Sequence, residues 1–286
     1  MDYENMHRTI NKWSKIYGDV LEINILGQKL VSPNTSEAIR NAFLHEPAGT
    51  ATSARPPTFF GKYALDNFSD TAFASPSKDW TNRRKLVYKL MHTYGEGIAN
   101  MESQIKNSLE DMKLKLSEEA GKSVDPAIII EEFIMGTVEQ LIIAKENPEH
   151  KGVYQNMMEE VTKTDKEGRP RLKVVNIIPN LWTAHRNEKD FEHPDTFIPD
   201  RFLDKSGNLI PATDTLRKSL MPFGVGKRSC IGEVFARSRM FLFLATLLQT
   251  ASIEKPDNEI IAEFGLDDLN PGLVMQPKPY KIKFVM

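Results

Sequence analysis

Met101, Ile105, Leu109, Met112 and Leu116 recur every three or four positions. That spacing lines one face of an α-helix, and it predicts a helix over 96–120. The apolar run in "DPAIIIEEFIMGTVEQLIIA" predicts a second helix, with Pro126 in its first turn, where a missing N–H costs little. Ile231–Thr250 predicts a third, strongly apolar one. Shorter helices are expected over 3–17, over "NTSEAIRNAFLH", which opens with a cap signal, and from Asp79 to about Thr93, closed by Gly95. "NPEHKGVYQNMMEEVTKT" reads as a polar helix. The period changes to two in "DVLEINILGQKLVSP", which alternates about Gly27 and predicts a hairpin. "VVNIIPNLW" has strand character, and the tail "PYKIKFVM" ends in a strand. Residues 46–77, rich in Pro, Ser and Thr, and 186–222, with four prolines, show no period and are expected to be irregular. Helix outnumbers strand, so the expected fold class is mainly α with small β-sheets.

Length and charge narrow the options. The 286 residues can bury a large core, and 1–286 is read as a single domain. A net charge of -2 gives no basic footprint for nucleic acid. The polar start "MDYENMHRTINKWSKIYGD" resembles neither a signal peptide nor an anchor, and the apolar stretch Met240–Leu248 is too short to span a bilayer. A single cysteine excludes an internal disulfide framework and multi-cysteine zinc sites. It fits a reducing compartment, or a cysteine with one specific task.

That cysteine lies in "PFGVGKRSCIG", residues 222–232. A cysteine at the start of a helix meets the positive end of the helix dipole, which favours a thiolate. Glycines ahead of it allow a tight turn and close approach of backbone N–H groups. Arg228 could hold an anionic group beside the sulfur. These features suit a nucleophile or a metal ligand; the plainer reading is a buried cysteine acting as a small hydrophobe. A dinucleotide loop is excluded, because Ser229 stands where the third glycine should be.

At every defining position, "PFGVGKRSCIGE" resembles the haem-ligand loop of the cytochrome P450 superfamily. The resemblance assigns Cys230 as the axial iron ligand, whose thiolate favours O–O cleavage. Phe223 would shield the sulfur, Gly224 and Gly226 would shape the loop, and Arg228 would pair with a haem propionate. "HPDTFIPDRFLD" and "PNLWTAHRNEKDF" resemble the segments that precede that loop. "WSKIYGDVLEINILGQKLVSPNTSEAIRNAF" resembles the first sheet and helix, closest to the microsomal family 2 group. "DWTNRRK" resembles the helix whose Trp and Arg meet the propionates, here Trp80 and Arg84, four apart on one face. Arg55, in "SARPP", matches a further propionate contact.

The resemblance also shows what is missing. The helix at 127–144 runs straight into "ENPEHKGVYQNMMEEV", and "GRPRLK" runs straight into "VVNIIPNLW". Internal deletions are therefore expected near 140–147 and 173–174. They leave an incomplete cytochrome P450 fold, without the long central helix and the Glu-x-x-Arg helix. Two spellings do not replace these. "EAIR", Glu37–Arg40, lies in the first helix of the pattern, and "AGTAT", Ala48–Thr52, is flanked by Pro47 and Pro56. Arg201, which would meet the absent Glu-x-x-Arg, is expected to be exposed or costly to bury.

The implied function is a haem-thiolate monooxygenase that inserts one oxygen atom into an apolar small molecule. Its cofactor would be haem b (iron), with electrons from NADPH via a reductase. The absent long helix would have covered the distal haem face and supplied its proton relay, so little activity is expected of this chain alone. The alternative is a non-catalytic haem-binding or protein-interaction chain. A cysteine-nucleophile hydrolase fits poorly, since no His accompanies Cys230 in its motif. The implied partner is NADPH–cytochrome P450 reductase, docked by a basic face drawn from Arg217, Lys218, Lys227, Arg228, Arg237 and Arg239. The implied location is the cytoplasmic face of the endoplasmic reticulum membrane, or the cytoplasm for a chain without an anchor.

Overall fold

A computed structural model describes residues 5–143, apart from 26, 64, 66, 96–102 and 104, and residues 175–286, apart from 258–264, 266–267 and 271–274. The chain divides into two compact units, one of Met1–Thr81 with Asp165–Cys230, the other of Asn82–Thr164 with Ile231–Met286. The polar helix expected over "NPEHKGVYQNMMEEVTKT", Met101 and the junction at 173–174 lie outside the described residues, as do residues 144–147 of the junction at 140–147.

In the first unit, α1 (Met6–Tyr17) is followed by the expected hairpin of β1 (Val20–Ile25) and β2 (Gln28–Pro33), paired antiparallel with Ile23 opposite Leu30. Gly27 turns at φ 79°, a left-handed value that suits glycine. Alternation sends Leu21 and Ile23 inward, where they bury with Ile10 of α1. α2 (Ser36–Phe43) starts where Thr35 accepts the Ala38 N–H at 3.2 Å, an N-cap legible in the sequence. The segment 46–77 is less irregular than expected: α3 (Ala48–Ala51) and α4 (Phe59–Tyr63) are single turns within it. α3 follows Pro47, and Thr52 closes it by donating to the Ala48 carbonyl at 3.0 Å. α5 (Lys78–Gly95) gives its first turn to this unit and the remainder to the other.

The strand expected in "VVNIIPNLW" shrinks to β4 (Asn176–Ile177), parallel to β2. Asn180 then caps α8 (Leu181–Ala184) by accepting from Thr183 N–H at 3.2 Å, so a polar cap ends the apolar run as a strand. Residues 186–222 are largely irregular, as expected, apart from a 3₁₀ turn at Pro199–Phe202 and α9 (Thr215–Ser219). Ile39 and Phe43 of α2, Ala184 of α8 and Met221 form one buried cluster, against which Val225 packs.

In the second unit α5 is joined by α6 (Lys106–Glu118), α7 (Pro126–Ile143) and α10 (Glu233–Thr250). The helical spacing singled out in the sequence becomes its core: Ile105, Leu109, Met112 and Leu116 bury against Ile129, Phe133, Phe235, Leu242 and Leu247. The sheet of this unit runs β3 (Ser123–Val124), β8 (Ile282–Val285), β5 (Ser252–Glu254), so the C-terminal strand is the middle one. A separate pair, β6 (Leu269–Asn270) and β7 (Gln276–Pro277), is antiparallel.

Candidate functional site

Four consecutive residues fasten the cysteine loop to the first unit. Val225 packs against the Ile39–Phe43 cluster. Gly226 follows at φ 75°, opening a 3₁₀ turn, with the carbonyl of Phe43 against its Cα. Lys227 forms an ion pair with Glu46 at 2.8 Å and donates to Thr50 Oγ1. This pair, with the Thr50 hydroxyl, holds the exposed Glu46 carboxyl below its usual range.

Arg228 reaches deepest. Its Nε donates to the Ser53 carbonyl at 2.6 Å, Nη1 to the Thr71 carbonyl at 3.1 Å and Nη2 to the Ala74 carbonyl at 2.6 Å. Its guanidinium lies 4.2 Å from the centre of the buried Trp80 ring, within cation–π range. Trp80 Nε1 donates to the same Thr71 carbonyl at 3.0 Å. Both residues bond to backbone carbonyls and stack on each other. The reason is steric and electrostatic: a planar fork of five donors satisfies several converging carbonyls at once.

The loop closes on itself beyond this anchor. Gly224 N–H donates to the Met221 carbonyl at 3.0 Å, with Gly224 at φ 70°. Cys230 N–H donates to the Phe223 carbonyl at 2.8 Å. Phe223 is half-buried, and Cys230 itself is exposed, not buried as a small hydrophobe. Arg55 is half-buried and donates from Nη1 to the Ala54 carbonyl at 3.3 Å. Arg84 is half-buried in the second unit.

The residues fit a haem group at its sulfur end. The loop holds one soft donor, exposed, with its backbone N–H already satisfied. No group of three or more His, Cys, Asp or Glu able to hold a metal occurs among the described residues, and a single-thiolate site requires none.

Sequence reasoning missed His185. Its Nε2 accepts the Met221 N–H at 2.8 Å, and burial, then the nearby charge of Arg186, push its pKa down. Nothing in "WTAHRNEK" marks a partner 36 residues away. Arg201 also departs from expectation. It is half-buried but not orphaned, donating to the carbonyls of Glu192, His193, Thr196 and Ile198. The expected basic face is thinner than the sequence suggests. In the first unit Lys227 and Arg228 are engaged as above, and Arg217 donates to the Ile210 carbonyl at 2.8 Å. In the second, Arg239 is buried and Arg237 pairs with Glu233 at 2.9 Å.

The chain belongs to the cytochrome P450 family, whose profile matches residues 1–175 and 173–284. That family implies haem iron as the cofactor. Among curated relatives, the steroid 17-alpha-hydroxylase/17,20 lyase of Ovis aries is 42% identical over 111 residues, covering 39% of this chain and 21% of the relative. The enzyme of the same name from Mesocricetus auratus is 49% identical over 114 residues, 40% of this chain and 21% of the relative. The chain thus spans about a fifth of the length of these relatives. They replace the expected likeness to the microsomal family 2 group. Two solved structures of a zebra fish cytochrome P450 share the fold at 15% identity: one with progesterone (TM-score 0.71, covering 98% of this chain and 99% of that one) and one with abiraterone (TM-score 0.72, 98% of each).

Proposed function

We propose that this chain binds haem b through the Cys230 thiolate and is an internally shortened form of a haem-thiolate monooxygenase. The observation that carries the reading is the fastening of 225–228 to the first unit, which leaves the Cys230 thiol exposed. Gly224 and Gly226 permit the loop, Phe223 accepts the Cys230 N–H, and Arg228 with Trp80 fixes its base. Arg228, Trp80, Arg84 and Arg55 are the proposed propionate contacts. When bound, the haem iron supplies the site at which O2 is activated for insertion of one oxygen atom into a C–H bond. The names of the relatives, and progesterone in the similar structure, support an apolar steroid-like substrate class. NADPH–cytochrome P450 reductase is the proposed electron source, and the cytoplasmic face of the endoplasmic reticulum the proposed location. Among the described residues no helix is long and apolar enough to cross a membrane.

We read 1–286 as one domain with internal deletions near 140–147 and 173–174. The two family matches meet at 173–175, which supports the second junction. Apolar side chains left in solvent support the first: Ile134 and Met135 of α7 are 47% and 58% exposed, Leu244 and Leu248 of α10 52% and 69%. Such faces normally carry a packed neighbour, and with none among the described residues they favour association and loose haem retention. Little turnover by the isolated chain follows.

The test expresses the chain with excess haem and records the reduced-plus-CO difference spectrum. A red-shifted Soret band that Cys230→Ala abolishes is the expected result. A band that survives Cys230→Ala overturns the ligand assignment. Stoichiometric haem after gel filtration, with NADPH- and reductase-dependent oxidation well above the Cys230→Ala control, overturns the expectation of weak activity.

A further inference from the structure

We propose that neutral His185 is a positioning residue for the Cys230 loop, acting through Met221. The inference rests on the reading of Cys230 as the working group of that loop. Its basis is a run of three hydrogen bonds. His185 Nε2 accepts the Met221 N–H at 2.8 Å. The Met221 carbonyl accepts the Gly224 N–H at 3.0 Å, and the Phe223 carbonyl accepts the Cys230 N–H at 2.8 Å. The segment from Met221 to Cys230 is thus pinned at its first residue by an imidazole and at its last by its own backbone.

The imidazole is well held. His185 closes α8, donating its backbone N–H to the Leu181 carbonyl at 2.9 Å. Its ring meets Phe191 edge-on at 6.4 Å. Met221 is 3% exposed, against Ile39, Phe43 and Ala184, so water does not readily replace the imidazole as acceptor.

Only the neutral ring can play this part. An Nε2 that accepts a hydrogen bond carries no proton, which places the ring proton on Nδ1. Protonation puts an N–H at Nε2 facing the N–H of Met221, so two donors oppose each other and a buried amide loses its acceptor. Burial and the charge of Arg186 already favour the neutral form, holding the pKa below its ordinary 6.5. Arg186 is itself paired with Asp195 at 3.1 Å, and Asp190 accepts from Ser36 Oγ at 2.6 Å. The other charges on the packed elements are Glu37 and Arg40 of α2 and Arg217 and Lys218 of α9. Because the folded pKa lies below the unfolded one, the pinning is intact above pH 6.5 and is lost as the pH falls through the folded value.

The test follows Met221 amide exchange in the ¹⁵N-labelled full chain by NMR, corrected for the intrinsic chemical rate, from about pH 8 to about pH 5. Protection should fall about tenfold as His185 titrates, the loss expected for one buried hydrogen bond. His185→Gln, whose side-chain oxygen accepts the same bond and does not titrate, should give a flat profile. Cys230 is the one thiol in the chain, so its alkylation rate reports on the loop alone; the wild type should show an acid step that His185→Gln lacks. In the haem-loaded chain the thiolate Soret band should fade with the same midpoint. Protection that ignores pH in the wild type, or matching profiles in wild type and His185→Gln, overturns the proposal. Should His185→Gln fail to fold, the Met221 midpoint must still coincide with that of the His185 ring resonances, and a mismatch overturns it. A chain that shows the Met221 profile but no thiolate band refutes the haem reading and leaves His185 standing.

Discussion

A Cβ on Gly226 would stand 2.2 Å from the carbonyl oxygen of Phe43 and 3.0 Å from its carbonyl carbon. Both are backbone atoms near the end of α2, so neither can swing aside as a side chain could. The residue also sits at φ 75°. Gly226→Ala should therefore cost about 3 kcal/mol or more of stability, combining steric overlap with a left-handed backbone. Gly224→Ala is the control: φ is 70°, but the nearest heavy atom is 4.0 Å away. Its cost should be the conformational part alone, about 1 kcal/mol. Urea unfolding of the two variants separates these values, and equal costs would refute the close approach at Phe43.

Arg228 should not tolerate lysine. Three carbonyls and the Trp80 face are matched by a planar fork, whereas an ammonium reaches one or two acceptors from a single point. Arg228→Lys should lose about 2–3 kcal/mol, and Arg228→Ala at least as much, because half-buried carbonyls lose their donors. Trp80→Phe removes the donor to Thr71 and part of the cation–π contact, and should cost about 1 kcal/mol. Chemical denaturation measures all three; an Arg228→Lys variant as stable as wild type would show the fork to be dispensable.

Much of this was legible in the sequence because it is local. The period of Ile105, Leu109, Met112 and Leu116 depends on the helix alone, and those residues are the buried face of α6. The hairpin about Gly27 and the Thr35 cap are set within a few residues as well. The loop glycines and Cys230 stand out because the motif is contiguous. The carbonyl contacts of Arg228, by contrast, lie 154 to 175 residues away along the chain, and no local pattern encodes which carbonyls converge on it. The same holds for His185 and Met221. Arg201 was misjudged for a related reason: a motif suggests a charged partner, but carbonyls of an irregular segment serve a guanidinium equally well.

Arg239 lies on the costly side of that comparison. It is 8% exposed, donates Nη2 to the Thr137 carbonyl at 2.6 Å and rests 3.4 Å from the Phe235 ring centre. Its Nε is buried with no hydrogen-bond partner among the described residues. Burial pushes its pKa down to about 9. Replacing a buried, poorly paired charge by an apolar residue of similar volume is neutral or stabilising, so Arg239→Met should gain about 1–2 kcal/mol at neutral pH. The folded pKa is below the unfolded one, so the wild-type penalty is full below about pH 9 and shrinks as the pH rises above it. The advantage of Arg239→Met in unfolding experiments should shrink with it. A clearly destabilised Arg239→Met would mean that the Thr137 and Phe235 contacts outweigh desolvation.

The ion pair at the rim of the loop gives a site-specific titration. Lys227 holds Glu46 at 2.8 Å and is the first cause of the lowering of its pKa below 4.5; the Thr50 hydroxyl, which donates to Glu46 at 2.6 Å, comes next. The folded pKa lies below the unfolded value, so this contact contributes above pH 4.5 and is lost as the pH falls through the folded value. Both partners are exposed, with 47% and 56% of their side-chain surface accessible, so salt should screen the pair. NMR titration of the Glu46 carboxyl carbon should place its midpoint below 4.5 in the wild type and move it most of the way back in Lys227→Met. Thr50→Val should produce a smaller return. High salt should bring the wild type towards Lys227→Met while leaving the Thr50 contribution in place. A midpoint in Lys227→Met unchanged from wild type would show that the pair does not form in solution, and that the loop is held on this side by Gly226 and Arg228 alone.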